Sequence, residues 1–375
     1  MRVAVYIEPL KTFTSGMPHR GMLLELINLR PNFTFLLVLR QGKIPEFFKE
    51  YLNTLRKFKN CTILYDDNSS RNVNLKALLR LKNHCILNIE ADVYLNLDAN
   101  YLGDKCKPQI ITVHDLSSVK DNKNSSIHFI KRFARKFTIL NGIKYADKII
   151  TISKFTKDDI IQSLNYNKEI AVVYNGIDPL FFDTKLVIKE NQNYFLWYGN
   201  FSKRKNLINL IKGYELVLKE SNNLDLIPSL LLVGNKNSYS NKIENIINSS
   251  TYLKGKVNFK SQLSQIELID TISQSRCILF PSIYEGFGLP IIESYAQGIP
   301  VIASNVTSLP EISGDLGILI KPHDIYSIKG GIQEFLKNSK TLNRKQLIKW
   351  ASQFTFLECA LNYLQIIEKT HNEHS

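Results

Sequence analysis

Short apolar segments alternate with amphipathic helical stretches along the whole chain, and the alternation starts afresh near its middle. A chain patterned this way builds parallel sheets, because parallel neighbours need a long crossover and a helix supplies it. In the first half, strand segments read at 3–7, 33–39, 61–65, 93–97, 110–113, 148–152 and 170–173. One helix follows the Ser15–Gly21 loop with Met22, Leu23, Leu26, Ile27 and Leu29 inward; another, at 46–58, turns Phe47, Phe48, Tyr51, Leu52 and Leu55 inward. The polar stretch 185–193 reads as a linker. Beyond it come strands at Tyr194–Tyr198, 230–233, Val257–Lys260, Cys277–Phe280, 300–303 and 317–320, with helices after Asn206 and at 264–271 and 325–336. A helical region at 344–370, broken near Ser352, closes the chain. The expected class is therefore α/β, with two doubly wound parallel-sheet domains at 1–180 and 190–350.

The most informative stretch runs from the strand Cys277–Phe280 through a loop with Gly286 and Gly288 to a helix opened by Leu289 and Pro290. Proline suits the first helical turn, and glycines let a loop backbone approach a ligand closely. The positive end of the helix points at the same spot, so an anion is expected there. Glu285 in the loop and Glu293 in the helix bracket it. Anion-binding backbone between two carboxylates suits a ligand carrying phosphates and hydroxyls together, as a nucleotide sugar does.

A second anion site reads at Lys203-Arg204-Lys205, set between the strand ending at Tyr198-Gly199 and the helix that Asn206 is expected to cap. His114 follows the 110–113 strand, which puts it at the carboxyl edge of the sheet, where open α/β sheets bind ligands. The neighbouring Asp115 either orients its imidazole or caps the next turn. Thr156 and Asp159 stand at capping-box spacing. The first loop holds Gly16 and Gly21 at the wrong spacing for a dinucleotide fingerprint, which argues against a nicotinamide dehydrogenase; Gly16 instead reads as a point of close backbone approach to a ligand.

Five scattered cysteines (61, 85, 106, 277 and 359) form no Cys-x-x-Cys pair, so neither a disulfide framework nor a zinc site is expected, and a reducing cytoplasm suits them. No apolar run reaches membrane-helix length, and Met1 leads directly into a strand with no signal peptide. The formal charge of +14 suits an anionic partner (nucleic acid, anionic lipid or a nucleotide) but equally a Lys-, Asn- and Ile-rich composition with no dedicated partner. A basic helix over 126–148 places Phe129, Phe133 and Phe137 on one face, with His128, Lys131, Arg132, Arg135 and Lys136 around them; a weaker version stands at 75–82. Such helices either lie on an anionic membrane surface or bury the stripe in a core with a solvated basic face. A nucleic-acid-binding protein is a rival reading of the charge, but no recognition helix or stacking-aromatic module supports it.

Together, Pro-Ser-x-Tyr-Glu-Gly-Phe-Gly-Leu-Pro at 281–290 with Glu285 and Glu293, Gly-x-Pro-Val-Ile-Ala-Ser at 298–304, Leu-Pro-Glu at 309–311, Arg204-Lys205-Asn206 and Asn175-Gly176-Ile177-Asp178 resemble the family-4 retaining glycosyltransferases. The likeness is nearest to bacterial mannosyltransferases of O-antigen and capsule assembly. It implies the GT-B fold, two Rossmann-like domains facing across a cleft, with a helix near 353–372 crossing back to the first. It implies a nucleoside-diphosphate sugar as donor, GDP-mannose or a UDP-sugar, a glycan or lipid-linked acceptor, no cofactor and no metal. By position, Glu285 would contact the donor sugar and Glu293 the ribose. Gly286, Phe287 and Gly288 would offer backbone N–H groups, with Leu289, Gly199 and Gly234 also lining the donor. Lys205 and Arg204 would neutralise the diphosphate, Gly16 would lie over it, and His114 would reach the sugar from the first domain. The chain departs from the family pattern at Asn200, where many relatives carry Arg; at Met17-Pro18, where a second glycine is usual; and at Asn96-Leu97-Asp98. The resemblance suits a cytoplasmic enzyme peripheral to the membrane. Another GT-B enzyme, such as a nucleotide-sugar 2-epimerase, is the nearest rival.

Overall fold

A computed structural model of the protein describes residues 1–12, 16–66, 89–99, 107–120, 126–183, 193–338 and 343–375. The expected helix at 75–82, nearly all of the 185–193 linker, and Cys85 and Cys106 lie outside the described residues. The chain divides into two compact units, one of residues 1–178 and 355–375, the other of residues 179–354.

The first unit holds a seven-stranded sheet. Its strands are β1 (Arg2–Tyr6), β2 (Thr34–Arg40), β3 (Cys61–Asp66), β4 (Val93–Asn96), β5 (Gln109–Val113), β6 (Lys148–Thr151) and β7 (Ile170–Val172), in the order β3-β2-β1-β4-β5-β6-β7. Every neighbouring pair is parallel. Strands covered on both faces carry near-continuous apolar runs rather than alternation, and Phe35 to Leu39 shows this. The helix Phe356–Asn372 belongs to this unit and buries Cys359, Ala360, Tyr363, Leu364 and Ile367 in its main core, together with Met22, Leu23, Leu26 and Ile27 of the helix Met17–Leu29.

The second unit holds a six-stranded sheet of β8 (Tyr194–Tyr198), β9 (Ser229–Val233), β10 (Val257–Lys260), β11 (Cys277–Phe280), β12 (Val301–Ser304) and β13 (Ile318–Ile320). Its order is β10-β9-β8-β11-β12-β13, again all parallel. The strand order reverses between β8 and β11. In open α/β sheets the loops leaving such a pair splay apart and leave a crevice at their carboxyl ends. Here those loops are Gly199–Asn206 and Pro281–Gly288, the two anion-directed segments of the sequence.

Local expectations fail where tertiary contacts override them. The helix expected to begin with a Thr156–Asp159 box is capped by Ser153, whose Oγ accepts from the Thr156 N–H at 3.1 Å. β6 ends at Thr151, so the turn comes three residues earlier, and Thr156 is free to bond the His114 carbonyl instead. Asn206 makes no side-chain cap. It takes left-handed backbone (φ 59°) and donates its amide to the Pro322 carbonyl at 2.6 Å. A helix at Ser238–Asn248, capped by a reciprocal Asn237–Ser240 box, stands where the Asn- and Ser-rich sequence showed no clear stripe. In the helix Ser126–Tyr145, Ile139 and Ile143 are buried while Phe133 is 57% exposed.

Gly176 accounts for its own identity. Ile177 bridges Thr355 in parallel, and a Cβ on Gly176 would lie 2.4–2.5 Å from the backbone of Thr355 and Phe356. Nothing flexible stands there to yield. Gly176→Ala is therefore expected to destabilise the first unit by about 2–3 kcal/mol through overpacking. An unchanged unfolding midpoint in urea would contradict that packing.

Candidate active site

The site in the second unit is built from the ends of β8 and β11. β11 is buried throughout, and the loop after it returns through Gly288, whose φ of 126° and close neighbour Leu309 exclude a side chain. Gly286, by contrast, has no positive φ. The helix Leu289–Ala296 then starts with its N-terminus at this loop and Pro290 in its first turn.

Glu285 is the hub. Its carboxylate accepts from Lys205 Nζ at 2.7 Å and from Arg204 Nη1 at 2.6 Å, and the same Arg204 nitrogen donates to the Tyr284 carbonyl at 2.5 Å. The two loops are also joined by backbone, from the Ile283 N–H to the Arg204 carbonyl at 2.9 Å. Lys205 is largely enclosed, with its ammonium 4.9 Å from the centre of the Phe280 ring. Burial pulls the Lys205 ammonium below its usual range while Glu285 opposes it. Burial pushes the Glu285 carboxyl up, but Lys205 and Arg204 outweigh it and hold it below the usual carboxylate range. Two cations thus face the Glu285 carboxylate, and the Glu293 carboxylate also acts on Lys205.

Gly199 and Gly234 close the strand ends beside this cluster. A Cβ on Gly234 would lie 2.2 Å from the Gly199 carbonyl, and the Gly199 N–H donates to the Val233 carbonyl. Packing of the two strand ends is what the structure shows for this glycine pair. Leu289 is half-buried, and the Phe287 ring packs edge-on against Phe354.

Glu293 is held by Tyr198, a residue no sequence motif singles out. Tyr198, the last residue of β8, donates its phenol to Glu293 Oε2 at 2.7 Å and lies 3.2 Å from the Pro290 carbonyl. Burial, and then the adjacent carboxylate, keep the Tyr198 phenol well above its usual pKa, so it remains a donor. Strand periodicity marks Tyr198 as core, and no local signal separates it from its neighbours.

In the first unit, His114 follows β5. Its Nε2 donates to the Leu97 carbonyl at 2.9 Å; a carbonyl can only accept, which fixes the proton on Nε2. Asp115 does not orient this ring. Its carboxylate accepts from the Ser117 N–H and hydroxyl and so caps the next turn. Behind His114, at 4.9 Å between ring centres, stands the fully buried His19, which burial and then His114 keep neutral. Gly16 is enclosed by its own loop: a Cβ would meet the Leu10 and Thr12 carbonyls at 2.8 and 2.6 Å, and Arg20 ties the same two carbonyls together. Asp98, in the segment that departs from the family pattern, pairs with Arg135 at 3.1 Å.

Among the described residues no cluster of metal-ligating side chains occurs, and no helix is long and apolar enough to cross a membrane.

Two family models match the chain: "Glycosyltransferase Family 4" over residues 74–180 and "Glycosyl transferases group 1" over residues 181–353. The chain is 26% identical over 274 residues to the O-antigen chain mannosyltransferase B of Escherichia coli, a match spanning 69% of this chain and 70% of that one. It is 30% identical over 237 residues to the O-antigen chain mannosyltransferase RfbU of Salmonella typhimurium, spanning 63% of each. Among solved structures, a glycosyltransferase from Rickettsia africae matches at a TM-score of 0.72 with 16% identity, covering 98% of both chains. Sucrose-phosphate synthase from Thermosynechococcus elongatus matches at 0.72 with 17% identity over the full length of both. Anabaena HepE, solved in complex with UDP, matches at 0.66 with 14% identity over 98% of this chain and 99% of that one. At these identities the structures speak for the fold alone, and that fold is GT-B.

Proposed function

The chain belongs to the glycosyltransferases, with a family 4 region followed by a group 1 region, and we propose that it transfers a sugar from a nucleoside-diphosphate donor to a glycan acceptor. The observation that carries this reading is the Glu285 carboxylate held between Arg204 and Lys205 beside the N-terminus of the helix Leu289–Ala296, at the strand-order reversal of the second unit. Cleaving a glycosidic bond to a diphosphate puts negative charge on the leaving phosphate. Cations already held in place and a helix N-terminus beside that charge lower the barrier, because they need not reorganise as it develops.

The roles proposed are those the family resemblance implies for these positions. Arg204 and Lys205 take the diphosphate, together with backbone N–H groups of Gly286, Phe287 and Gly288. Glu285, released from the cations by the arriving phosphates, is then free to accept from hydroxyls of the sugar. Glu293, steadied by Tyr198, accepts from the ribose. No side chain stands out as a covalent nucleophile, so the reading is same-face attack with retention, the acceptor hydroxyl passing its proton to the departing phosphate. Charge stabilisation is assigned to the side chains, and no metal is invoked.

Mannose from GDP-mannose is the first choice because the relatives are mannosyltransferases of O-antigen chains; a UDP-sugar is the second. A role in surface-polysaccharide assembly follows from the same relatives, with a glycan or lipid-linked glycan as acceptor. The exposed Phe133 within the basic helix Ser126–Tyr145 supports contact with an anionic membrane surface from the cytoplasmic side.

The test is a panel of GDP-mannose and UDP-sugars incubated with the protein, with and without alkyl glycoside acceptors. Nucleoside diphosphate and a lengthened glycoside are expected to appear together, and only when acceptor is present. Free epimerised sugar released without acceptor would replace this reading with the epimerase one.

A further inference from the structure

Thr307 lies in the loop between β12 and the helix Leu309–Ser313, and it adopts a left-handed backbone with φ 59°. For a β-branched residue that is a rare and costly conformation, and glycine would adopt it freely. Strain of this kind persists where the surrounding contacts impose it, and it gathers at functional sites.

The contacts here converge on Glu285. Thr307 Oγ1 accepts from the Glu285 N–H at 3.2 Å while donating to the Val306 carbonyl at 2.7 Å. The next hydroxyl along the chain, that of the buried Ser308, lies 3.0 Å from the Glu285 carbonyl and 2.6 Å from the Phe287 carbonyl. Two consecutive hydroxyls thus grip the peptide groups on either side of one residue. A hydroxyl at position 307 reaches the Glu285 N–H from this left-handed backbone, so the strain and the grip come together.

We infer that Thr307 is a positioning residue for Glu285: its strained backbone is retained because it aims the hydroxyl that fixes where the carboxylate lands between Arg204 and Lys205. This rests on the reading of Glu285 as the group that meets the donor sugar. Thr307 itself need not touch the substrate.

Three substitutions separate positioning from packing. Thr307→Gly removes both the strain and the hydroxyl. Its unfolding midpoint is expected to hold or rise, while kcat with GDP-mannose, or with the donor the panel selects, falls about tenfold at little-changed donor KM; misplacing a reacting group by a fraction of an ångström costs rate in that range. Thr307→Ser keeps the hydroxyl and is expected to restore kcat to within about twofold of the parent. Thr307→Val keeps the branched, strained backbone without the hydroxyl; it is expected to be as slow as the glycine variant and less stable. Full kcat in Thr307→Gly, or failure of Thr307→Ser to recover rate, would overturn the inference. Glu285→Gln is measured alongside. A slow Glu285→Gln with a fast Thr307→Gly removes the role of Thr307 alone, whereas a fast Glu285→Gln removes the underlying reading and this inference with it.

Discussion

Glu285→Gln is expected to lower sugar transfer by roughly 10²–10³-fold while leaving the protein folded, the loss typical when one preorganised polar group of a charge-stabilising site is removed. Glutamine keeps the shape and one acceptor oxygen, so the backbone grip from Thr307 and Ser308 survives. What disappears is the negative charge that both cations hold at 2.6 and 2.7 Å. In the proposed reaction that charge meets hydroxyls of a sugar on which positive charge develops as the bond to phosphate breaks. The substitution therefore acts on the transition state, and the fall should appear in kcat and in kcat/KM alike. Initial rates with the selected donor, together with an unfolding curve, check both halves of this expectation.

Lys205→Met is the second large effect, for a different reason. Methionine matches the apolar stem that lies against Phe280 but carries no charge. Lys205 is the more enclosed of the two cations, with its side chain 12% exposed against 42% for Arg204. A charge held away from water acts at lower effective dielectric, so its removal costs more than loss of the outer one. Transfer is expected to fall by about 10²–10³-fold, with a raised donor KM because the diphosphate loses a partner in the ground state as well. Arg204→Met should be clearly milder. Equal losses at the two positions would show that burial does not rank them.

Much of this was readable in the residues. The strand Cys277–Phe280 is apolar throughout and buried throughout, and the glycines and proline after it mark a loop and a helix start by backbone chemistry alone. The strand segments of both halves were legible for the same reason, since parallel strands covered on both faces need continuous apolar runs. The positions of Glu285, Arg204 and Lys205 followed from strand-loop-helix context. That the three form one ion-paired group did not, because it depends on the order of β8 and β11 in the sheet.

Other features leave no local trace. Tyr198 looks like any strand aromatic until β8 is set beside the helix that carries Glu293. Thr307 has ordinary loop chemistry in sequence, and its left-handed backbone is imposed by contacts with a segment 22 residues away. His19 reads as an unremarkable polar residue near a helix start, yet it is enclosed against His114 and Tyr363, which arrive from distant parts of the chain. Asn206 misled for the opposite reason: its residue type favours an N-cap, but the Pro322 carbonyl offers its amide a better partner.

In the proposed site, Arg204 and Lys205 take the diphosphate, and the Glu285 carboxylate is their resting occupant. Calorimetric titration of GDP and UDP into the parent, Lys205→Met and Glu285→Gln tests it in one series. Affinities are expected to move in opposite directions: weaker in Lys205→Met, which loses a cation, and equal or tighter in Glu285→Gln, which frees both cations from their carboxylate. Parental affinity in Lys205→Met, or a matching loss in Glu285→Gln, would contradict it.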